Sequence, residues 1–294
     1  MSTSPALLHD PDALRRRVAQ WKREGLRVGL VPTMGNLHSG HLALVDAAAA
    51  RAGRVVVSIF VNPLQFGPGE DFASYPRTLA EDMDKLAATG AAAVFAPPED
   101  VMYPSGRDGV TRVEVPAISE ELCGASRPGH FVGVATVVAK LFNLVAPDVA
   151  VFGRKDFQQL VVIRRMARDL CFPVEIVGLD TVREPDGLAM SSRNAYLTRE
   201  ERARAPALYQ ALVAAGGRLT GGDRDFVAIQ QEGMENVRSA GLEPEYFEVR
   251  RRDDLAAPAA GDSALVVLAA ARLGRARLID NLPVDVAEHG RGKA

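Results

Sequence analysis

Cysteine is almost missing from this chain of 294 residues: only Cys123 and Cys171 occur, in neither metal nor redox spacing. That excludes a disulfide scaffold and a thiolate metal centre, and predicts buried, reduced thiols in a cytoplasmic protein. Long apolar runs are missing as well. The longest stretch, Phe131 to Val145, is interrupted by Lys140 and falls short of the ~20 residues that a membrane helix needs. Met1 to Asp12 lacks the basic-then-apolar order of a signal peptide. Charge of one sign is not in excess. The net charge of −2 gives no general attraction to nucleic acid or to a membrane. Lysine is scarce, five residues among many arginines, so the position of each one carries weight. The dinucleotide fingerprint G-x-G-x-x-G and the phosphate loop G-x-x-x-x-G-K-[ST] are both absent. So is G-x-S-x-G, and no cysteine is paired with a histidine in sequence context, which leaves no covalent nucleophile in view.

What is present is a 47% apolar composition, enough for a core, over a length that suits one large or two ordinary domains. The stretch that organises the chain is Val31-Pro32-Thr33-Met34-Gly35-Asn36-Leu37-His38-Ser39-Gly40-His41. An apolar run, Arg27 to Val31, precedes it and reads as a buried strand. Leu42 to Ala50 follows and is rich in helix formers. A strand, a turn with glycine and a helix N-terminus is where an α/β sheet holds anions, on free N–H groups and the helix dipole. His38 and His41, three apart, are expected on one helical face, and Gly40 removes the side chain that would block a close ligand. A zinc site is disfavoured by ligand count, because no third His, Cys or H-E-x-x-H stands nearby. No residue is singled out as a metal ligand.

The rest reads in order. Asp10 caps a first helix with Pro11 at its first position; Leu14, Val18 and Trp21 form its stripe and Gly25 closes it. Arg54 to Val61 is a strand apolar on both faces, as a central parallel strand should be. Asn62 and Gln65 lie beyond its carboxyl end, where open sheets bind ligands; they read either as hydrogen-bonding groups for a small polar substrate or as an ordinary polar loop. Thr78-Leu79-Ala80-Glu81 has capping-box spacing, Ala92 to Ala96 is a strand, and Thr111 to Val115 alternates like an edge strand. In the helix Val132 to Val145, the small residues Gly133, Ala135 and Thr136 suit either a flat ligand or close packing on the sheet. The strand Val149 to Phe152 ends in Gly153-Arg154-Lys155-Asp156, with Gln159 three residues after Asp156. Asp156 and Gln159 have capping-box spacing, while Lys155 at a second helix N-terminus is placed for a phosphate. After the strand Val174 to Leu179, a loop from Val182 carries Met190-Ser191-Ser192-Arg193, which reads as a phosphate clamp or as a surface loop. Thr198 then caps a helix to about Gly216, a second helix covers Asp225 to Ser239, and strand-like runs follow at Tyr246 to Arg250, Ala264 to Ala269 and Arg277 to Asp280. Helices followed by adjacent strands indicate a small α+β domain. The expected division is residues 1–187 and residues 188–294, with a polar tail from Glu288 that frays.

His38-x-Gly40-His41 at a strand-to-helix turn resembles the signature of the nucleotidyl-transferring α/β superfamily. With Asn62 to Phe66, Arg127-Pro128-Gly129-His130-Phe131, Gly153 to Gln159 and Met190 to Asn194, the chain closely resembles the pantothenate synthetase (pantoate–β-alanine ligase) family from about Val28 to Asn281. The resemblance implies a Rossmann-like, doubly wound parallel sheet with a smaller α+β C-terminal lid, in a cytoplasmic homodimer. It implies that ATP and pantoate give pantoyl adenylate and pyrophosphate, with Mg²⁺, and that β-alanine then displaces AMP. By matching position it implies ATP contacts from Met34, Gly35, Asn36, Leu37, His38, Ser39, Gly40, His41, Gly153, Arg154, Lys155, Asp156, Val182, Met190, Ser191, Ser192 and Arg193. Gln65 and Gln159 would bind pantoate, Gln65 would also face β-alanine, and His41 would donate a proton. Arg154 stands where the family usually has Glu, and is expected to point outward because neighbours on extended backbone alternate. A nucleotidylyltransferase that keeps the nucleotide on its product shares His-x-Gly-His, and a non-catalytic nucleotide sensor could share the fold. The former would lack the other motifs, and the clustered histidines and lysine argue against the latter.

Overall fold

In the computed structural model, residues 4–286 are described; the expected frayed tail from Glu288 and the first residues of the N-terminal segment lie outside them. The chain divides into two compact units. One runs up to Arg154 and resumes over Val162–Asp180; the other takes Lys155–Val161 and resumes at Thr181.

The first unit begins with β1 (Ala6–Leu8) and α1 (Pro11–Arg23), whose first turn is capped by the Asp10 carboxylate. Then follow β2 (Val28–Thr33), α2 (Ser39–Ala49), β3 (Arg54–Ile59), α3 (Leu79–Leu86), β4 (Ala91–Phe95), the single turns α4 (Glu99–Met102) and α5 (Cys123–Ser126), α6 (His130–Val145) and β5 (Val149–Gly153). A helix shared with the second unit, α7 (Phe157–Asp169), leads to β6 (Glu175–Leu179). All six strands are parallel, in the order β1-β4-β3-β2-β5-β6. Val31, Val57, Val94 and Val151 share one face of the central strands and pack against Leu44, Val45 and Ala48 of α2, while Leu30 and Val56, which alternate with them, are buried as well. The order reverses between β2 and β5, and ligands in such sheets bind beyond the carboxyl ends of the strands at that point. The sheet therefore opens at Thr33 and Gly153, two of the places where a sequence motif begins.

Three expectations for this unit fail. Cys171, expected to be a buried thiol like Cys123, is exposed in the turn after α7. Thr111 to Val115 is not a strand: the Val113 N–H donates to the Thr136 hydroxyl at 2.9 Å instead of to a ladder. The edge beside β4 is taken by β1, pairing Leu7 with Val94. It was overlooked because three residues are too few to show a period. Thr78 makes no side-chain cap at the start of α3; its hydroxyl donates to Asp82 at 3.3 Å.

The second unit contains α8 (Arg199–Arg204), α9 (Ala207–Thr220), α10 (Phe226–Ser239) and an antiparallel sheet of β7 (Glu243–Arg251), β8 (Ala264–Leu273) and β9 (Ala276–Asp285). Thr198 and Glu201 do form a reciprocal capping box. The helix expected to run on to Gly216 is broken after Arg204, because Pro206 has no N–H to continue it. Leu212, Ile229, Val249 and Val267 meet in this unit's own core.

Candidate active site

The turn after β2 is built from unusual backbone. Gly35 has φ +82° and Asn36 φ +51°, two left-handed residues in succession. At Gly35 a Cβ would lie 3.0 Å from Ile59 and 3.1 Å from the Asp82 carboxylate, so glycine is required on both counts. The group that holds this turn is Asp82, which is fully buried. Its carboxylate accepts the Asn36 N–H at 2.9 Å and the Leu37 N–H at 2.8 Å. Lys85 sits 4.0 Å from the same carboxylate and donates to the Leu37 carbonyl at 2.8 Å. Sequence reasoning passed over Asp82, because an acidic residue in the first turn of a helix needs no tertiary partner to explain it. Its alanine variant strands one buried and one partly buried donor, the first at roughly 1–3 kcal/mol and the second at somewhat less. Asp82→Ala is therefore expected to lose about 2–5 kcal/mol of unfolding free energy in a denaturant titration, and an unchanged midpoint would mean that the turn holds itself.

His38 and His41 meet, but not on one helical face. His38 is the N-cap, with extended backbone, and His41 is the third helical residue. The Gly40 N–H donates to His38 Nδ1 at 3.2 Å, and the His38 N–H donates to His41 Nδ1 at 3.4 Å. The rings lie 4.1 Å apart, tilted by 35°. This reciprocal cap spends main-chain donors that were expected to face an anion. In exchange, with both Nδ1 atoms accepting, the ring protons belong on Nε2, the far side of each imidazole.

Asn62 departs from the sequence reading. It is buried and its amide is fully used within the protein. Its oxygen accepts from Tyr103 at 2.7 Å and from the Leu64 N–H at 3.3 Å; its nitrogen donates to the Gly133 carbonyl at 3.0 Å and to the Gln65 side-chain oxygen at 3.1 Å. It has no hydrogen-bonding capacity left for a substrate. Gln65 is half-buried, and its nitrogen lies 3.0 Å from the Met34 sulfur, which joins this loop to the organising turn. Gly133 serves neither alternative read from its size: a Cβ there would come within 2.2 Å of the Leu64 carbonyl, so the helix packs on this loop's backbone.

The Arg127 to Phe131 motif holds the same loop from its other side. Arg127 makes a bidentate pair with Glu70 at 2.7 and 2.6 Å and donates to the Gln65 carbonyl at 3.1 Å. His130 Nδ1 reaches that carbonyl at 2.8 Å. Burial acts to raise the Glu70 carboxyl, but the Arg127 hydrogen bonds and charge outweigh it and hold the group below its ordinary value.

Gly153 closes β5, and a Cβ there would meet open space. Arg154–Asp156 form a 3₁₀ turn rather than extended backbone, so strand alternation does not set their directions. Arg154 pairs with Asp180 at 2.6 Å, at the exposed end of β6. In the second unit, Lys155 is half-buried with Nζ 3.6 Å from the Asp156 carboxylate, and its carbonyl accepts from the Asn281 amide at 3.0 Å. Gln159 lies half-buried in the first turn of α7. The loop from Val182 is closed by the Met190 N–H donating to the Val182 carbonyl at 3.0 Å. Ser191 caps the 3₁₀ turn Ser192–Tyr196 by accepting the Arg193 N–H at 3.2 Å. Within that loop, Arg183 pairs with buried Asp280 through two bonds of 2.6 and 2.9 Å and stacks 3.6 Å above the Tyr209 ring. Burial raises the Asp280 carboxyl, and Arg183 works against that shift. These supports, from Asp82, Arg183, Asp280 and Asn281, carry no motif of their own, so single-sequence reading had no signal for them.

Among the described residues, no three His, Cys, Asp or Glu side chains gather as a metal site. Mg²⁺ needs only one or two carboxylates when phosphates supply the rest. Chemically, the first unit offers paired imidazole N–H groups at a helix N-terminus and an amide beside them, and the second offers one half-buried lysine and a serine-arginine turn.

The model of the pantoate-beta-alanine ligase family matches residues 6–283 of the chain. A pantothenate synthetase of Thioalkalivibrio sulfidiphilus is 60% identical over 283 residues, covering 96% of this chain and 99% of the relative. One from Alkalilimnicola ehrlichii is 60% identical over 273 residues, or 93% and 96% of the two chains. Among solved structures, the pantothenate synthetase of Thermus thermophilus superposes with a TM-score of 0.88 at 47% identity, over 94% of this chain and 98% of that one. The pantoate–β-alanine ligase of Francisella tularensis, crystallised with a β,γ-ATP compound and β-alanine, gives 0.79 at 31% identity, over 95% and 97%. The chain belongs to the pantoate–β-alanine ligase family.

Proposed function

We propose that the chain ligates pantoate to β-alanine in two steps through a pantoyl adenylate. A pantoate carboxylate oxygen attacks the α-phosphorus of ATP, the bond to the β-phosphate breaks, and pyrophosphate leaves. The β-alanine amine then attacks the acyl carbon, loses a proton and expels AMP. The observation that carries this reading is the turn from Met34 to His41. It stands at the switch point of the sheet, braced by Asp82, with two imidazoles protonated on Nε2 and the Gln65 amide against Met34. Attack of one anion on another needs preorganised donors and positive charge at the phosphate, and in this reading the turn offers the donors and Lys155 the charge.

In this reading Met34 to His41, Gly153 to Asp156, Val182 and Met190 to Arg193 receive ATP. His41 and His38 donate to phosphate oxygens, and Lys155 adds a point charge. Gln65 and Gln159 orient pantoate so that its carboxylate meets the α-phosphate in line. Asn62 moves from binding to support. Mg²⁺ would neutralise phosphate oxygens when it enters with ATP. The division near Gly187, a homodimer and a cytoplasmic location belong to the same proposal. No described helix is long and apolar enough to cross a membrane.

Pyrophosphate release tests the order of events. A single-turnover burst is expected with ATP and pantoate alone, and steady turnover once β-alanine is added. Turnover without β-alanine and with the nucleotide left on the product would indicate a nucleotidylyltransferase. ATP binding with no release under any condition would indicate a sensor.

A further inference from the structure

Amide side chains have two ends that differ only in chemistry, and the end that faces a ligand decides what the ligand must be. At Asn62 that choice is fixed by main-chain groups of a single kind. The Gly133 carbonyl can only accept, and lies 3.0 Å from one end; the Leu64 N–H can only donate, and lies 3.3 Å from the other. The end facing Gly133 is therefore nitrogen. Tyr103 then donates to the Asn62 oxygen at 2.7 Å, the shortest bond of the set. Burial first, and then the nearby Glu99 charge, push the Tyr103 phenol well above its ordinary value, so it keeps its proton. The second N–H of Asn62 faces Gln65 at 3.1 Å, which requires oxygen there. The Gln65 nitrogen then rests 3.0 Å from Met34 sulfur, a weak acceptor that a better one would displace.

We propose that Tyr103 anchors the Asn62 amide, whose orientation the Gly133 carbonyl and Leu64 N–H fix, and that this relay positions Gln65 so that its N–H meets an acceptor oxygen, carboxylate or hydroxyl, on its ligand. The inference rests on the reading that Gln65 holds pantoate. Tyr103 is a positioning residue, one amide removed from the ligand.

Tyr103→Phe removes the hydroxyl and keeps the ring, which packs beside Phe60 at 5.9 Å and under Lys140 at 5.3 Å. Its pantoate KM is expected to rise about three- to tenfold, the scale of one neutral hydrogen bond. The KM for ATP and the melting temperature should stay near their original values. Gln65→Glu reverses the donor and should leave pantoate unable to saturate the enzyme. An unchanged pantoate KM in Tyr103→Phe overturns the relay. So does an equal rise in both KM values with a fall in melting temperature, which would mark Tyr103 as structural only. Near-normal pantoate saturation in Gln65→Glu overturns the assigned polarity. The pyrophosphate burst of the unmodified enzyme reports separately on the functional reading: its absence removes that reading and the relay with it, whereas its presence beside an unshifted Tyr103→Phe removes the relay alone.

Discussion

Lys155→Ala is expected to slow adenylate formation by roughly 30-fold to a few thousand-fold, with ATP still able to bind. The figure comes from the ~2–5 kcal/mol lost when one partner of a desolvated charge pair is removed. Several features put the lysine at the upper part of that range. It lies two residues past the end of β5, a strand that flanks the switch point. It is half-buried, so water screens it only in part. Its main chain is tied to Asn281, whose neighbour Asp280 anchors Arg183 in the clamp loop, so the ammonium is held by the same support as the loop that would grip ATP. Lys155→Arg should rescue little, because a planar fork does not replace a compact point charge. The check is a rapid-quench measurement of pyrophosphate formation for both variants. Near-normal rates in Lys155→Ala would leave the lysine as a solvated partner of Asp156.

The second large effect is expected at His41. His41→Ala should slow adenylation by roughly 10²–10³, the usual loss for one preorganised donor to a developing charge. The amine step, started from preformed adenylate, should suffer less. The histidines also cap α2, so a cap defect must be told apart from a lost donor. His38→Ser separates them, since serine is among the best N-cap residues but has no Nε2–H to offer. If His38→Ser keeps its melting temperature and still loses about 10²-fold or more in adenylation, the imidazole acts on the phosphate. If the serine variant is fully active, the histidine was needed only to start the helix.

The placement of many candidate residues was legible in the sequence because they sit at strand ends and helix starts. Buried β-branched runs fix β2, β3 and β5, and turn residues mark where each one stops. Gly35, His38 and Lys155 fall in those turns, and Asp10 and Thr198 cap the helices that the sequence assigned to them. What escaped was tertiary. Asp82 is 45 residues from the N–H of Leu37 that it holds, and nothing near it in the chain announces that contact. Asn62 stands at a strand end like a binding residue, yet the Gly133 carbonyl, 71 residues on, takes its donor. Thr111 to Val115 has the alternation of a strand, but its Val113 N–H is claimed by a hydroxyl on α6. In each case local pattern gave the position correctly, and a distant polar partner decided the role.

The central claim is that the carboxylate of pantoate attacks the α-phosphorus. The most direct measurement is isotope transfer: pantoate carrying ¹⁸O in its carboxylate is turned over with ATP and β-alanine, and the products are weighed by mass spectrometry. The account predicts one ¹⁸O in AMP and none in pyrophosphate. Label in pyrophosphate or phosphate, with unlabelled AMP, would contradict it, because the carboxylate would then have attacked a different phosphorus and no acyl adenylate would have formed.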